Sequence, residues 1–343
     1  MSAVQQVTVG HDEAEQRLDR WFRKRWPHVG QGRIEKMCRK GEIRVDGARA
    51  KTSTRVAPGQ IVRVPPLPDP DATPRSAPAE PVQATDLDLT ELVVHQDEHL
   101  IVLNKPPGLA VQGGSKQSKH LGAYLHQVRG DKDADARLVH RLDRDTSGLI
   151  VLARTGAAAT ALGALFRTRA VEKIYYAAVA GRPNPRAGTI RYALVKAGGR
   201  GAERMELVHP DEVNATEGAV HARTDYMVID QAASRMAWVA LRPVTGRTHQ
   251  LRAHMAGIGN PIAGDGKYGS RGRENLGDGW GAGLGGGLSR KLHLHAASLS
   301  FQHPMTKRAM IFRAPLPEHM LRSWDMLGWD PFMAPDDPFS DEM

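Results

Sequence analysis

A single cysteine, Cys38, stands among 343 residues, so the chain can build neither a disulfide framework nor a cysteine-based zinc site, and a reducing compartment is expected. No apolar run approaches the roughly 20 residues that a membrane-spanning helix needs. The opening stretch MSAVQQVTVGHDEAEQ lacks the basic flank and apolar core of a secretory signal, which points to the cytoplasm. A phosphate-cradling P-loop is missing too: the nearest approach, GNPIAGD at 259–265, has Asp265 where the lysine belongs. No glycine-rich loop follows a leading strand to hold a methyl-donor cofactor, which argues against a methyltransferase. His249, His254, His293 and His295 match no strong metal-ligand spacing, so no metal is expected. What remains is ordinary for a globular protein: 41% hydrophobic and 25% charged residues, with length for about two domains.

The net charge of +9 calls for an anionic partner, and it is unevenly spread. Residues 1–64 hold fourteen Lys or Arg against seven Asp or Glu. Prolines then fall at 65, 66, 68, 70, 74, 78 and 81, a density that excludes helix and central strand, so residues 65–88 read as a stiff linker. A second domain spans 89–327, where short Val-, Ile- and Ala-rich segments are punctuated by Gly and Pro. Residues 328–343 are acidic and proline-broken and read as a poorly ordered tail. The glycine-rich run at 275–290 reads as a flexible loop.

Within 1–64, Leu18, Trp21, Phe22, Trp26 and Val29 fall at helical spacing. Ile34, Met37 and Cys38 mark a second helix stopped by Gly41. EIRVDGARA reads as a hairpin turning at Asp46-Gly47, with IVRV as another strand. The basic residues Arg23, Lys24, Arg39, Lys40 and Arg44 are candidate RNA contacts, against the plainer reading of a solvated helix face.

The stretch most suggestive of chemistry is RLVHRLDRDTSGLIVLART, 137–155, where two β-like segments flank a polar loop. An arginine near an aspartate keeps it ionised, and a carboxylate held anionic suits a nucleophile or base at the anomeric carbon of a sugar. Residue spacing alone leaves Asp143 and Asp145 open to a turn-and-cap role. An Asp-x-Asp metal pair is disfavoured by the surrounding cations.

The loop HRLDRDTSG resembles the catalytic loop of the RluA superfamily of pseudouridine synthases. The resemblance continues in order through NKPPGLAVQGG (104–114), EKIYYAAVAG (172–181), TGRTHQLRAHMAGIGNPIAGDGKYG (245–269) and KLHLHAASLSFQHPMT (291–306). RLDRWFRKRWPHVGQGRIEKMCRKGEIRVDG is similar to the alpha-L domain of ribosomal protein S-four. With the GGS that follows the first block, the pattern is most similar to the RluC type, with the RluD type as nearest neighbour.

The resemblance implies an α+β fold, a mixed and largely antiparallel sheet flanked by helices, behind an N-terminal alpha-L RNA-binding domain. It implies a bacterial enzyme, monomeric and cytoplasmic, that acts on large-subunit ribosomal RNA without cofactor or membrane. A non-catalytic RNA-binding assembly factor is the alternative. Carried onto this chain, Asp143 is the aspartate that attacks C1′ or initiates glycal formation, Tyr175 stacks on the extracted base with its hydroxyl available to assist proton removal at C5, and Arg247 pairs with Asp143 from the first turn of a helix that Thr245 or Thr248 caps. Arg141 fills the hole left by the flipped nucleotide. Lys105 sets a rigid turn or contacts phosphate, and Arg144 is a further RNA contact.

Overall fold

The computed structural model describes the chain except residues 1–3, 11–12, 14, 68–86, 114–118, 129–135, 198–203, 270–286 and 341–343. Most of the expected linker and most of the glycine-rich run therefore lie outside the described residues. The chain divides into two compact units, 1–83 and 84–343. Among the described residues no helix is long and apolar enough to cross a membrane.

The first unit comprises β1 (Gln5–Thr8), α1 (Leu18–Arg25), α2 (Gln31–Lys40), β2 (Arg44–Val45), β3 (Ala48–Arg49) and β4 (Ile61–Val64). The strands form one sheet in the order β1-β4-β2-β3. As expected from the apolar spacing, Leu18, Trp21, Phe22 and Ile34 are fully buried, and Gly41 ends α2 in the left-handed region. Asp46 and Gly47 both have positive φ, the geometry of a tight hairpin turn. Strand β1, which sequence reading overlooked, pairs with β4. Glu13 is buried against α1, accepting from the Trp21 indole and from Arg25. The Arg25 hydrogen bond prevails over burial and pushes its carboxyl down to about 2. Arg23, Lys24, Arg39 and Lys40 project into solvent. Arg44 is exposed as well, but its guanidinium caps the Gly41 and Gly47 carbonyls.

The second unit begins with β5 (Val93–Gln96), β6 (Leu100–Lys105), α3 (Leu121–Tyr124), β7 (Arg137–Leu138), β8 (Ser147–Ala153), α4 (Gly156–Thr168) and β9 (Glu172–Ala180). It continues through β10 (Ala187–Ile190), β11 (Ala193–Lys196), β12 (Met205–Val208), β13 (Thr224–Ala232), β14 (Met236–Pro243) and α5 (Gln250–Gly257). It ends with β15 (Leu294–Gln302), β16 (Ala309–Arg313) and α6 (Glu318–Leu327). The main sheet runs β10-β13-β14-β9-β15-β8-β6-β5, with β16 on β15 and β7 on β8. Every pair in it is antiparallel except β15 with β8, so the sheet is mixed and the unit is α+β.

Strands β6 and β8 carry near-continuous apolar runs, because both faces are covered. Ile101, Leu103, Ile150 and Leu152 pack beneath Leu121 and Tyr124, while Leu100, Val102, Leu149 and Val151 meet Ala158 and Leu162 of α4. Helix α5 covers one face of the β9–β14 region through Leu251 and Met255. Helix α6 covers the other through Met320 and Trp324, against Trp238.

Residues 328–340 depart from the expected loose tail. Trp329 and Phe339 are buried, Trp329 packs edge-on against Trp324 at 5.1 Å, and the Arg242 guanidinium lies 4.4 Å from the Phe339 ring centre. The segment forms only a single 3-10 turn at Pro331–Met333, capped by Asp330, but the two aromatics bury enough apolar surface to hold it down.

Candidate active site

The polar loop between β7 and β8 is anchored from behind. Gly108 N–H and Lys105 Nζ both donate to the Arg144 carbonyl, at 2.9 and 3.0 Å. Lys105 is fully buried, and its ammonium also donates to the Pro106 and Leu109 carbonyls. Burial pushes it down to about 7, with the charges of Asp145 and Asp143 working to keep the proton on. Of the two roles expected for Lys105, the turn is the one it fills; it is no RNA contact, since all three donors are spent on backbone. Replacing it with methionine, similar in length but without a donor, leaves buried carbonyls unsatisfied. Urea unfolding is expected to show a loss of about 3 kcal/mol or more. Unchanged stability would remove this role.

Gly148 closes the loop. Its φ is +107°, and a Cβ there would lie 2.3 Å from the Ala296 carbonyl oxygen, so only glycine lets β15 run alongside β8.

Held this way, Asp143 faces a cavity of about 480 Å³ with its side chain 18% exposed, within reach of a substrate. Its Oδ2 lies 3.4 Å from Nη1 of Arg252 and 3.8 Å from Nε2 of His249. Arg252 turns its other two nitrogens to Asp265, each at 2.7 Å, and Asp265 is wholly buried and accepts from the Lys267 and Tyr268 amides as well. Burial works to raise the Asp265 carboxyl, but the Arg252 hydrogen bonds and charge outweigh it and hold the group below its ordinary value. One guanidinium thus bridges a buried carboxylate and a reachable one, and that bidentate hold limits its freedom to swing.

The arginine at Asp143 is therefore Arg252, not the expected Arg247. Helix α5 begins at Gln250, and His249 before it sits in the left-handed region at φ 52°, so Arg247 precedes the helix altogether. Neither threonine caps it. Instead the Gln250 amide oxygen accepts from Arg247 N–H and from the Thr245 hydroxyl, and closes the turn. Arg247 stays exposed on the cavity wall, donating to the His221 carbonyl. The signal that distinguishes the two arginines is the unbroken burial of Gln250–Met255, a helical stretch that includes only the second.

Tyr175 lines the cavity from β9, while its neighbour Tyr176 points the opposite way and packs on Trp238 at 5.4 Å, as strand alternation requires. Burial, and then the charge of Asp143, push the Tyr175 hydroxyl up, so near neutral pH it offers a ring face and a neutral phenol. Arg141 is exposed on the rim. Arg144 is turned away, its side chain paired with Asp145. Arg167, Arg169 and Lys173, which sequence reading passed over, complete the wall, and Asp143 is the one carboxylate among the described lining residues. Of the four histidines noted, His254, His293 and His295 are spent on Thr224, Ser323 and Ser147, and only His249 reaches the site.

The sequence model of the RNA pseudouridylate synthase family matches residues 99–257. The ribosomal large subunit pseudouridine synthase C of Vibrio vulnificus is 35% identical over 317 residues, 92% of this chain and 94% of that protein. The Escherichia coli protein of the same name is 34% identical over 322 residues, 93% of this chain and 95% of its own length. Among solved structures, human RNA pseudouridylate synthase domain containing 4 matches with a TM-score of 0.56 at 30% identity, covering 70% of this chain and 94% of that one. Human RNA pseudouridylate synthase domain containing 1 gives 0.52 at 27% identity, covering 66% and 83%.

Proposed function

The chain belongs to the RNA pseudouridylate synthase family, and from that premise we propose that it converts specific uridines of large-subunit ribosomal RNA to pseudouridine. One observation carries the reading: Asp143, the one carboxylate among the described residues that line a cation-walled cavity, is paired with Arg252 and shares that space with the Tyr175 ring. Asp143 attacks C1′ of an extracted uridine, or assists departure of the base by the glycal route, as the N1–C1′ bond breaks. The freed uracil turns on the Tyr175 face and C5 bonds to C1′ as the Asp143 oxygen leaves that carbon or, on the glycal route, as the proton taken from C2′ is returned; the C5 proton is lost while N1 gains one. Nothing is oxidised and no atom is added, so the reading includes no cofactor.

Extraction costs a few kcal/mol of lost stacking, part of which a planar cation inserted from the rim offsets; the reading gives that part to Arg141, which is exposed there. The first unit, with Arg23, Lys24, Arg39 and Lys40 outward, supplies non-specific phosphate attraction. The same reading has the protein acting as a monomer in the bacterial cytoplasm, on RluC-type positions.

The test is a pseudouridine map of 23S ribosomal RNA from cells with and without the protein. Specific sites vanish on deletion and return with the wild-type gene. An identical map in both strains overturns the reading and leaves a non-catalytic RNA-binding role. Loss at other positions points to the RluD type.

A further inference from the structure

His249 is buried and faces Asp143 with Nε2, and its other ring nitrogen, Nδ1, lies 3.1 Å from the Tyr268 hydroxyl. That hydroxyl already accepts the Met205 N–H of β12 at 2.7 Å. Its single proton is then best placed on His249 Nδ1; the reverse arrangement would spend two donors on one oxygen and leave the hydroxyl proton without a described acceptor. A ring that accepts at Nδ1 and is neutral carries its proton on Nε2. Burial keeps it neutral by lowering its affinity for a second proton, Asp143 opposing and Arg252 and Lys267 assisting.

The Tyr268 ring that makes this contact is itself immobilised. The guanidinium groups of Arg204, beside β12, and of Arg252 each lie 5.4 Å from its centre, and its backbone N–H is held by Asp265. Asp143 therefore looks onto two donors on fixed supports, one charged and one neutral.

We propose that His249 is a positioning residue for Asp143: its Nε2–H, oriented by Tyr268 and through it by the β12 backbone, sets the direction of the carboxylate during the reaction. The 3.8 Å separation is longer than a hydrogen bond, and a shift of under an ångström closes it when substrate fills the cavity, the usual tightening of catalytic contacts on binding. The left-handed backbone at His249 fits the role, because it aims the ring at the loop instead of along the helix. The inference rests on the pseudouridine synthase reading.

The two arrangements of a His249 substitute separate positioning from packing. Asparagine tolerates the left-handed backbone, and its amide oxygen can still accept from Tyr268, but nothing on it reaches Asp143. Glutamine is long enough to place an N–H where Nε2 stands. His249→Asn is expected to lower kcat about tenfold or more, the scale of one hydrogen bond to a charged group, with KM for the RNA unchanged. His249→Gln is expected to recover part of that loss. Tyr268→Phe, which keeps the ring and removes the hydroxyl, should likewise lower kcat alone, and nitrogen NMR should show His249 no longer held in one tautomer. The thermal midpoint of each variant is measured alongside.

Wild-type kcat in both His249→Asn and Tyr268→Phe overturns the proposal. So does a loss that follows the thermal midpoint and that glutamine does not relieve. Wild-type protein that forms no pseudouridine in ribosomal RNA defeats instead the reading on which the proposal stands.

Discussion

Asp143→Asn is expected to abolish pseudouridine formation, with a fall of about a thousandfold or more, while RNA affinity stays within about twofold of wild type. Asparagine keeps the shape of the side chain and loses its charge and its nucleophilicity. The scaffold does not depend on that charge: Arg252 keeps both 2.7 Å bonds to Asp265, and the loop stays pinned through the Arg144 carbonyl to Lys105 and Gly108. The cations on the cavity wall are untouched, so electrostatic attraction for RNA persists. Release of tritium from C5-labelled uridine in ribosomal RNA measures the first quantity and filter binding the second. A variant that turns over at the wild-type rate would show that the nucleophile lies elsewhere.

Arg252→Met is expected to damage both folding and chemistry. It leaves the carboxylate of Asp265, with no exposed surface, without its counter-charge, and breaking a buried ion pair from one side costs about 3–5 kcal/mol. It also strips Asp143 of its cation, so the protein that remains folded should have lost most of its kcat. Arg252→Lys keeps the charge and loses the fork, and should fall between the two. Arg247→Met is the contrasting case. Its side chain is exposed, it bonds only a carbonyl, and stability should change by less than about 0.5 kcal/mol, with the effect confined to KM. Thermal unfolding and steady-state kinetics on the three variants decide it. If Arg247→Met proves to be the one that destabilises and inactivates, the pairing described for Asp143 is wrong.

Much of the fold was legible because local rules and tertiary packing agreed. The apolar faces at Leu18–Trp26 and Ile34–Cys38, the Gly41 stop and the Asp46-Gly47 turn each rest on contacts or dihedral preferences within a few residues. The loop carrying Asp143 stood out for a similar reason: its charged residues are bounded by the apolar pair Leu138-Val139 and by the apolar run of β8. Strand β1 was missed because three of the four residues of its QQVT sequence are polar and its pairing partner lies more than fifty residues away. The tail was misjudged because composition weighs proline and acid, whereas two buried aromatics decided the outcome.

The amino-acid sequence alone determined the chemistry this protein can offer: a loop with two carboxylates among cations, an aromatic strand and a basic N-terminal unit, in an order that marks a family. Only the tertiary structure decided which arginine holds that carboxylate, that Lys105 is a backbone clamp, and that His249 and Tyr268 stand behind the site. The reason is physical. Arg247 and Arg252 differ little in local pattern, and what separates them is a left-handed residue at 249 and a buried Asp265 that arrives thirteen positions later. Burial and charge pairing are properties of chain segments brought together, and no window of neighbouring residues contains them.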